Sequence, residues 1–196
     1  MGYHIQPLLL IVYLFPILEN KSILRIREPR VNSTPDEIRQ RYEELAAPTL
    51  AAPRVSLMAG YVQHGQTTTL EHVAAVAYLS LALVRRLGLH CDERALVRGA
   101  LLHDYYLYDW HDHNAAPDAW HGFTHPQHAL RNAEQDFPDL SPLERDIIAH
   151  HMFPLVPSPP RHVEALVVSL VDKACTSVEV FARRPWERTP EGGATC

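Results

Sequence analysis

The chain has 196 residues, with 46% hydrophobic and 21% charged content, ordinary for one globular domain with a sizeable core. A formal net charge of −5 argues against a nucleic-acid polymer held by a general basic field. Three cysteines with no close pair argue against a disulfide framework or a cysteine-ligated zinc, and fit a reducing, cytoplasmic setting.

In chain order, the apolar run "LLLIVYLFPIL" at 8–18 comes first. It is too short for a membrane span, which needs about 20 apolar residues, and Pro16 interrupts it. Residues 1–32 therefore read as a flexible N-terminal extension, disordered or arising from an upstream start codon, with an interfacial anchor as the alternative. "NSTPDEIRQRYEEL" predicts a helix over 32–45, with Thr34 as cap, Pro35 in the first turn and Glu37 completing a capping box. "AAPTLAAP" at 46–53 is expected to break it. The clearest helix covers 69–87, with His72, Val76, Leu79, Leu83 and Leu87 on one stripe and Gly88 ending it.

Asp92 to Leu102 predicts another helix, running into His103-Asp104. Residues 106–124 read as a long aromatic loop, and Pro126–Gln135 as a short helix. Ser141, Pro142 and Glu144 open a helix over 140–152 that stops before Pro154. A final helix covers 161–182, and 185–196 read as a disordered tail. No alternation suggests strands. The fold class is all-α, with one domain over 33–184.

Thirteen histidines are many for a chain of this length, and histidine serves chiefly as metal ligand or proton carrier. Several polar residues stand where a core helix should be apolar. His72 lies on the buried stripe, His103-Asp104 ends an apolar helix, His150 and His151 close another, and Asp172 interrupts "ALVVSLVDKA". An unpaired buried carboxylate is costly, so Asp172 needs a cation, an arginine such as Arg98, or a place at the core edge. Lys173 is adjacent in sequence but about 100° away around the helix, a poor partner. A metal bound by histidines from the other helices answers all of these at once. Imidazole with carboxylate suits Fe, Mn, Zn, Co or Ni better than Ca.

The order His72, His103-Asp104, Asp172 resembles the HD superfamily of metal-dependent phosphohydrolases, over roughly residues 55–182. The added His125 in "FTHPQHA" and His150-His151 in "IIAHHM" resemble its two-metal branch, often called HDIG. The wording "QHG.TT..EH", "HGFTHP" and "LVDK" is similar to a small group of bacterial HD proteins. A lysine that follows the doublet in the best-known members is replaced by "YYLYDW". The resemblance implies a compact HD-type helical bundle. It implies one divalent transition-metal ion on His72, His103, Asp104 and Asp172. Asp104 would bridge to a second, on His125, His151 and His150, with His151 favoured over His150. His128 and His121 are the rivals of His125.

The implied reaction is hydrolysis of a phosphate ester of a nucleotide or other small metabolite by a metal-bridging hydroxide, between ions about 4 Å apart. Arg98 and Lys173 are the nearest candidates to compensate the leaving group's charge. His64 is a candidate general acid or phosphate contact, or else a helix-capping residue. His111 and His113 read as surface or lid residues. Tyr105, Tyr106, Tyr108 and Trp110 are candidates to stack on a base or sugar, or to pack at the domain edge. Two other functions share the ligand order: a di-iron oxygenase and a non-catalytic ligand-binding module.

Overall fold

A computed structural model of the protein describes residues 33–112 and 120–181. The expected extension at 1–32, the tail at 185–196 and His113 lie outside the described residues. The described chain is six α-helices, one 3₁₀ helix and a two-stranded hairpin. None of its helices is long and apolar enough to cross a membrane.

Helix α1 (Pro35–Leu50) starts as expected, with Thr34 and Glu37 exchanging the two bonds of a capping box. The break expected from 46 onwards does not occur, and the helix continues through Pro48. Pro48 stands in the last turn, where the loss of one backbone bond is small against the burial of Ala46 and Thr49. A 3₁₀ helix (Val55–Gly60) then places Val55 and Met58 in the core. The hairpin β1 (Val62–His64) and β2 (Thr67–Thr68) was not legible as alternation, because the strands are only three and two residues long. Its turn carries Gly65 at φ +62°, where any other residue would be strained.

Helix α2 (Thr69–Leu87) has Thr68 and Glu71 as capping box and ends at Gly88 in the left-handed conformation, φ 64°. Its buried arc differs from the expected stripe. Val73, Val76, Ala77, Leu81 and Val84 are buried beside His72, whereas Leu79 and Leu87 are 45% and 44% exposed. The central position of α2, packed by both α3 and α6, selects the arc rich in small residues.

Helix α3 (Glu93–Leu102) is capped by Asp92, whose side chain accepts from Ala95 N. Gly99 lets α3 approach α5 closely: a Cβ there would stand 2.7 Å from Ile147 Cδ1. Helix α4 (His121–Asp136) begins five residues before Pro126, the expected start. Helix α5 (Pro142–His150) has the Ser141–Glu144 capping box, and α6 (Val163–Phe181) closes the bundle. The core is one apolar cluster drawn from all six helices.

Candidate metal centre

Helix ends bring the doublet and its partners together. Helix α3 stops at Leu102, so His103 and Asp104 fall in the turn after it, fully buried at 0% and 2% exposure. His151 follows α5 in the same way, at 1%. The last carbonyls of a helix lack intrahelical partners, and both histidines use them. His103 Nδ1 donates to Ala100 O (2.7 Å) and His151 Nδ1 to Ile148 O (2.8 Å). In α4, His125 Nδ1 donates to His121 O (2.8 Å). His72 Nδ1 lies 3.0 Å from both carboxylate oxygens of Glu179. Four imidazoles thus spend their outer nitrogen on a fixed acceptor and turn Nε2 inward, the way metal-ligating histidines are oriented.

The inward atoms fall into two groups that share Asp104. In the first, His72 Nε2 is 3.1 Å from Asp172 Oδ1, and His103 Nε2 is 3.3 Å from Asp104 Oδ2 and 3.8 Å from Asp172 Oδ1. In the second, Asp104 Oδ1 stands 3.2 Å from His125 Nε2 and 3.5 Å from His151 Nε2, and the two Nε2 atoms are 2.8 Å apart. Two triads, His72–His103–Asp172 and His103–Asp104–His151, have ligand atoms all within 4.8 Å of one another.

The donor set fits a divalent cation. His103 Nε2 and Asp104 Oδ1 are buried with no hydrogen-bond partner, a costly arrangement in a protein interior. With Nδ1 committed to a carbonyl, His125 and His151 both turn Nε2 inward. Two such nitrogens 2.8 Å apart beside a carboxylate oxygen call for a positive charge between them, a proton or a metal ion. Imidazole and carboxylate together suit Mn, Fe, Co, Ni or Zn.

Without a cation, protons take the charge. Burial disfavours the charged ring of His72, but Asp172 and Glu179 outweigh it and raise the imidazole to about 9. Burial is likewise overcome at His103 by Asp104, which raises it to about 10. Burial disfavours both carboxylates' charged forms, yet His103 holds Asp104, and His103 with His72 holds Asp172, well below the usual range. His151 goes the other way: burial and the charge of His103 push it down to about 3.

The remaining candidates are placed as follows. His64 is half-buried beside the cluster, its ring centroid 6.1 Å from that of His72 and 6.3 Å from that of Trp110. Burial, then the charge of His72, lowers its pKa. The helix cap is Thr68, not His64. Lys173 is close: Nζ donates to His151 O (2.6 Å) and to Ser169, and is 3.6 Å from Asp172 Oδ2. The expectation that helical geometry separates Lys173 from Asp172 is therefore corrected, because a long flexible side chain bends back. Burial lowers its pKa, with Asp172 opposing.

Two expectations are corrected and one alternative is decided. Arg98 is not brought to the cluster; its guanidinium binds Asp139 (2.6 and 3.0 Å), lies 3.5 Å from Glu144 and caps the Phe137 ring. It does not answer Asp172. His150 turns its Nδ1 to Asp146 Oδ1 (2.7 Å), since neighbours on a helix end point apart, and it has no contact with the inward atoms. Tyr105 and Tyr106 are buried at 0% and 2% and belong to the core rather than to a stacking surface.

His128 meets Arg131 and the Tyr108 ring instead of the cluster. His121 stacks behind His125, centroids 4.8 Å apart, and against Trp110 at 5.1 Å. His111 lies outside, on Asp109 and Trp110.

Two contacts were not read from the sequence. Gln63 Nε2 donates to Asp104 Oδ2 (2.6 Å), and its Oε1 accepts from Thr69 and Tyr106. Glu179 holds His72 from α6. The signal for Glu179 was present: it follows Asp172 by seven residues, two turns along one helix face. Gln63 sits in a hairpin too short to be seen.

A family model described as HD domain matches residues 69–176, more than half of the chain. No curated protein and no solved structure matches it significantly.

Proposed function

The chain belongs to the HD domain family, and from that premise we propose that it is a phosphohydrolase acting on a phosphate ester of a nucleotide or other small metabolite. The observation that carries this reading is the Nε2–Nε2 approach of His125 and His151 at 2.8 Å beside the orphaned Oδ1 of Asp104. His72, His103, Asp104 and Asp172 would hold one ion, and Asp104, His125 and His151 a second. Bound divalent ions supply a water of near-neutral pKa and polarise phosphoryl oxygens.

The chain's own residues do the rest. The carbonyls of Ala100, His121 and Ile148 fix three imidazole planes. Gln63 fixes the Asp104 carboxylate. Lys173 ties the His151 backbone to α6 and places a positive charge beside Asp172, so it stabilises the buried anions rather than reaching for substrate. His64, half-buried beside His72, is the group we assign to exchange a proton with the leaving oxygen.

Anaerobic purification with elemental analysis, then a phosphate-release screen over nucleotides and sugar phosphates, tests the proposal. Metal-dependent release of inorganic phosphate supports it. Substrate oxidation that needs iron and O₂ and releases no phosphate reassigns the chain to the oxygenase chemistry that the same ligand order permits.

A further inference from the structure

His72 is gripped from both ends by one helix. Asp172 reaches its Nε2 at 3.1 Å, and Glu179 reaches its Nδ1 with both oxygens at 3.0 Å. Seven residues separate the two carboxylates, so both lie on the face of α6 that packs on α2. Glu179 is itself largely buried, its side chain 13% exposed. A carboxylate in that position needs a reason to remain at a helix end, and its close contact is with the imidazole.

We infer that Glu179 is a positioning residue for metal binding, which fixes the His72 ring and leaves Nε2 free to coordinate at one ion site and not at the other. The inference rests on the reading of His72 as a ligand. It goes beyond the family match, which ends at residue 176 and so does not include Glu179. The chemistry is that of a carboxylate behind a ligating imidazole: it selects the tautomer with its proton on Nδ1, fixes the ring plane and raises the basicity of the coordinating nitrogen. The other three imidazoles use backbone carbonyls for this purpose. His72 lies early in α2 (Thr69–Leu87), where free groups are N–H donors rather than carbonyls, so a side chain from a neighbouring helix must supply the acceptor.

The test uses the full-length chain, stripped with chelator and titrated with Mn²⁺, the free ion being read from its EPR signal. Wild type, His72→Ala, Glu179→Ala and Glu179→Gln are compared, with far-UV circular dichroism as a check on folding. Glu179→Ala should weaken one equivalent about 10–100-fold and leave the other unchanged. Glu179→Gln keeps a neutral acceptor of the same shape and should weaken the same equivalent by a smaller but measurable factor, up to about tenfold. His72→Ala should lose the same equivalent. If both Glu179 variants bind like wild type while His72→Ala loses an equivalent, the inference is overturned and the metal reading stands. If His72→Ala also binds like wild type, the reading falls and takes the inference with it. Equal weakening of both equivalents by Glu179→Ala also overturns it, because the Glu179 carboxylate is held to His72 and to no other inward histidine of the described residues. Should the alanine variant fail to fold, the glutamine variant decides: unchanged binding overturns the inference, and selective weakening of one equivalent supports it.

Discussion

The Nε2 atoms of His125 and His151 lie 2.8 Å apart although both rings give their Nδ1 protons to backbone carbonyls. With both Nδ1 positions so committed, the two Nε2 atoms face each other beside Asp104 Oδ1, and their close approach is favourable when a proton or a metal ion lies between or beside them. Together with the shared Asp104 carboxylate, this contact divides the polar cluster into two halves. It also ties stability to pH in a way that depends on the metal.

The first prediction concerns the metal-free protein. His72 and His103 are raised from the ordinary 6.5 to about 9 and about 10. Between those values and 6.5 the folded state keeps protons that the unfolded state has lost. Their stabilisation is thus complete below pH 6.5 and disappears as pH rises through 9 to 10. His151, pushed down to about 3, costs stability as pH falls below 6.5, because only the unfolded chain then takes up its proton. Thermal melts in chelator should therefore show a midpoint falling steadily from pH 6.5 to 9.5. Added Mn²⁺ should flatten that fall, since cations replace the protons. A midpoint that rises over this range contradicts the assignment.

Gln63→Leu removes the donor to Asp104 Oδ2 and the acceptor of the buried Tyr106 hydroxyl. The expected cost is about 1–3 kcal/mol in denaturant unfolding of the metal-free protein. Metal affinity should also drop, about 10–100-fold, as for other residues that orient a ligating carboxylate. Calorimetric titration measures it, and an unchanged affinity would show that packing alone orients Asp104.

Arg98→Met separates structure from chemistry. Arg98 binds Asp139 and Glu144 and stacks on Phe137, remote from the inward histidines. Its replacement should lower stability by about 1–2 kcal/mol and leave metal content and phosphate release per folded molecule unchanged. Selective loss of activity in a fully folded variant would restore the leaving-group role that the sequence suggested.

Much of the site was legible before the fold was known. Capping boxes at Thr34 and Ser141 and the glycine stop at Gly88 fixed helix ends, and the helix ends carry the chemistry. Polar residues in apolar company singled out His72, His103, Asp104 and Asp172. What the sequence did not show has three physical causes. A helix surrounded on two sides buries a wide arc, so Leu79 and Leu87 looked internal and are exposed. Adjacent histidines at a helix end point apart; the sequence favours His151 but keeps His150 as a ligand, and the tertiary packing turns His150 away to Asp146. Charged side chains choose partners distant in sequence: Arg98 finds Asp139, and Lys173 bends back to the His151 carbonyl.

Gly99→Ala tests how closely α3 and α5 must approach to bring His103 and His151 together. A Cβ would meet Ile147 Cδ1 at 2.7 Å and its Cβ and Cγ2 at 3.0 Å, and only the first of these atoms can swing away. Overpacking costs about 1–3 kcal/mol, against a gain of about 1 kcal/mol in helix propensity. The variant should be less stable and bind metal more weakly, as read by melts and titration. Wild-type behaviour in both would mean that the two helices separate without disturbing the site.

Elemental analysis of metal-loaded Asp104→Ala and His125→Ala, beside wild type, probes the division of the cluster most directly. Asp104 gives Oδ2 to one half and Oδ1 to the other, whereas His125 touches only the second. Wild type should carry two equivalents of transition metal per chain, His125→Ala about one, and Asp104→Ala close to none, all three folded by circular dichroism. Equal metal content in the two variants would contradict the shared-carboxylate centre.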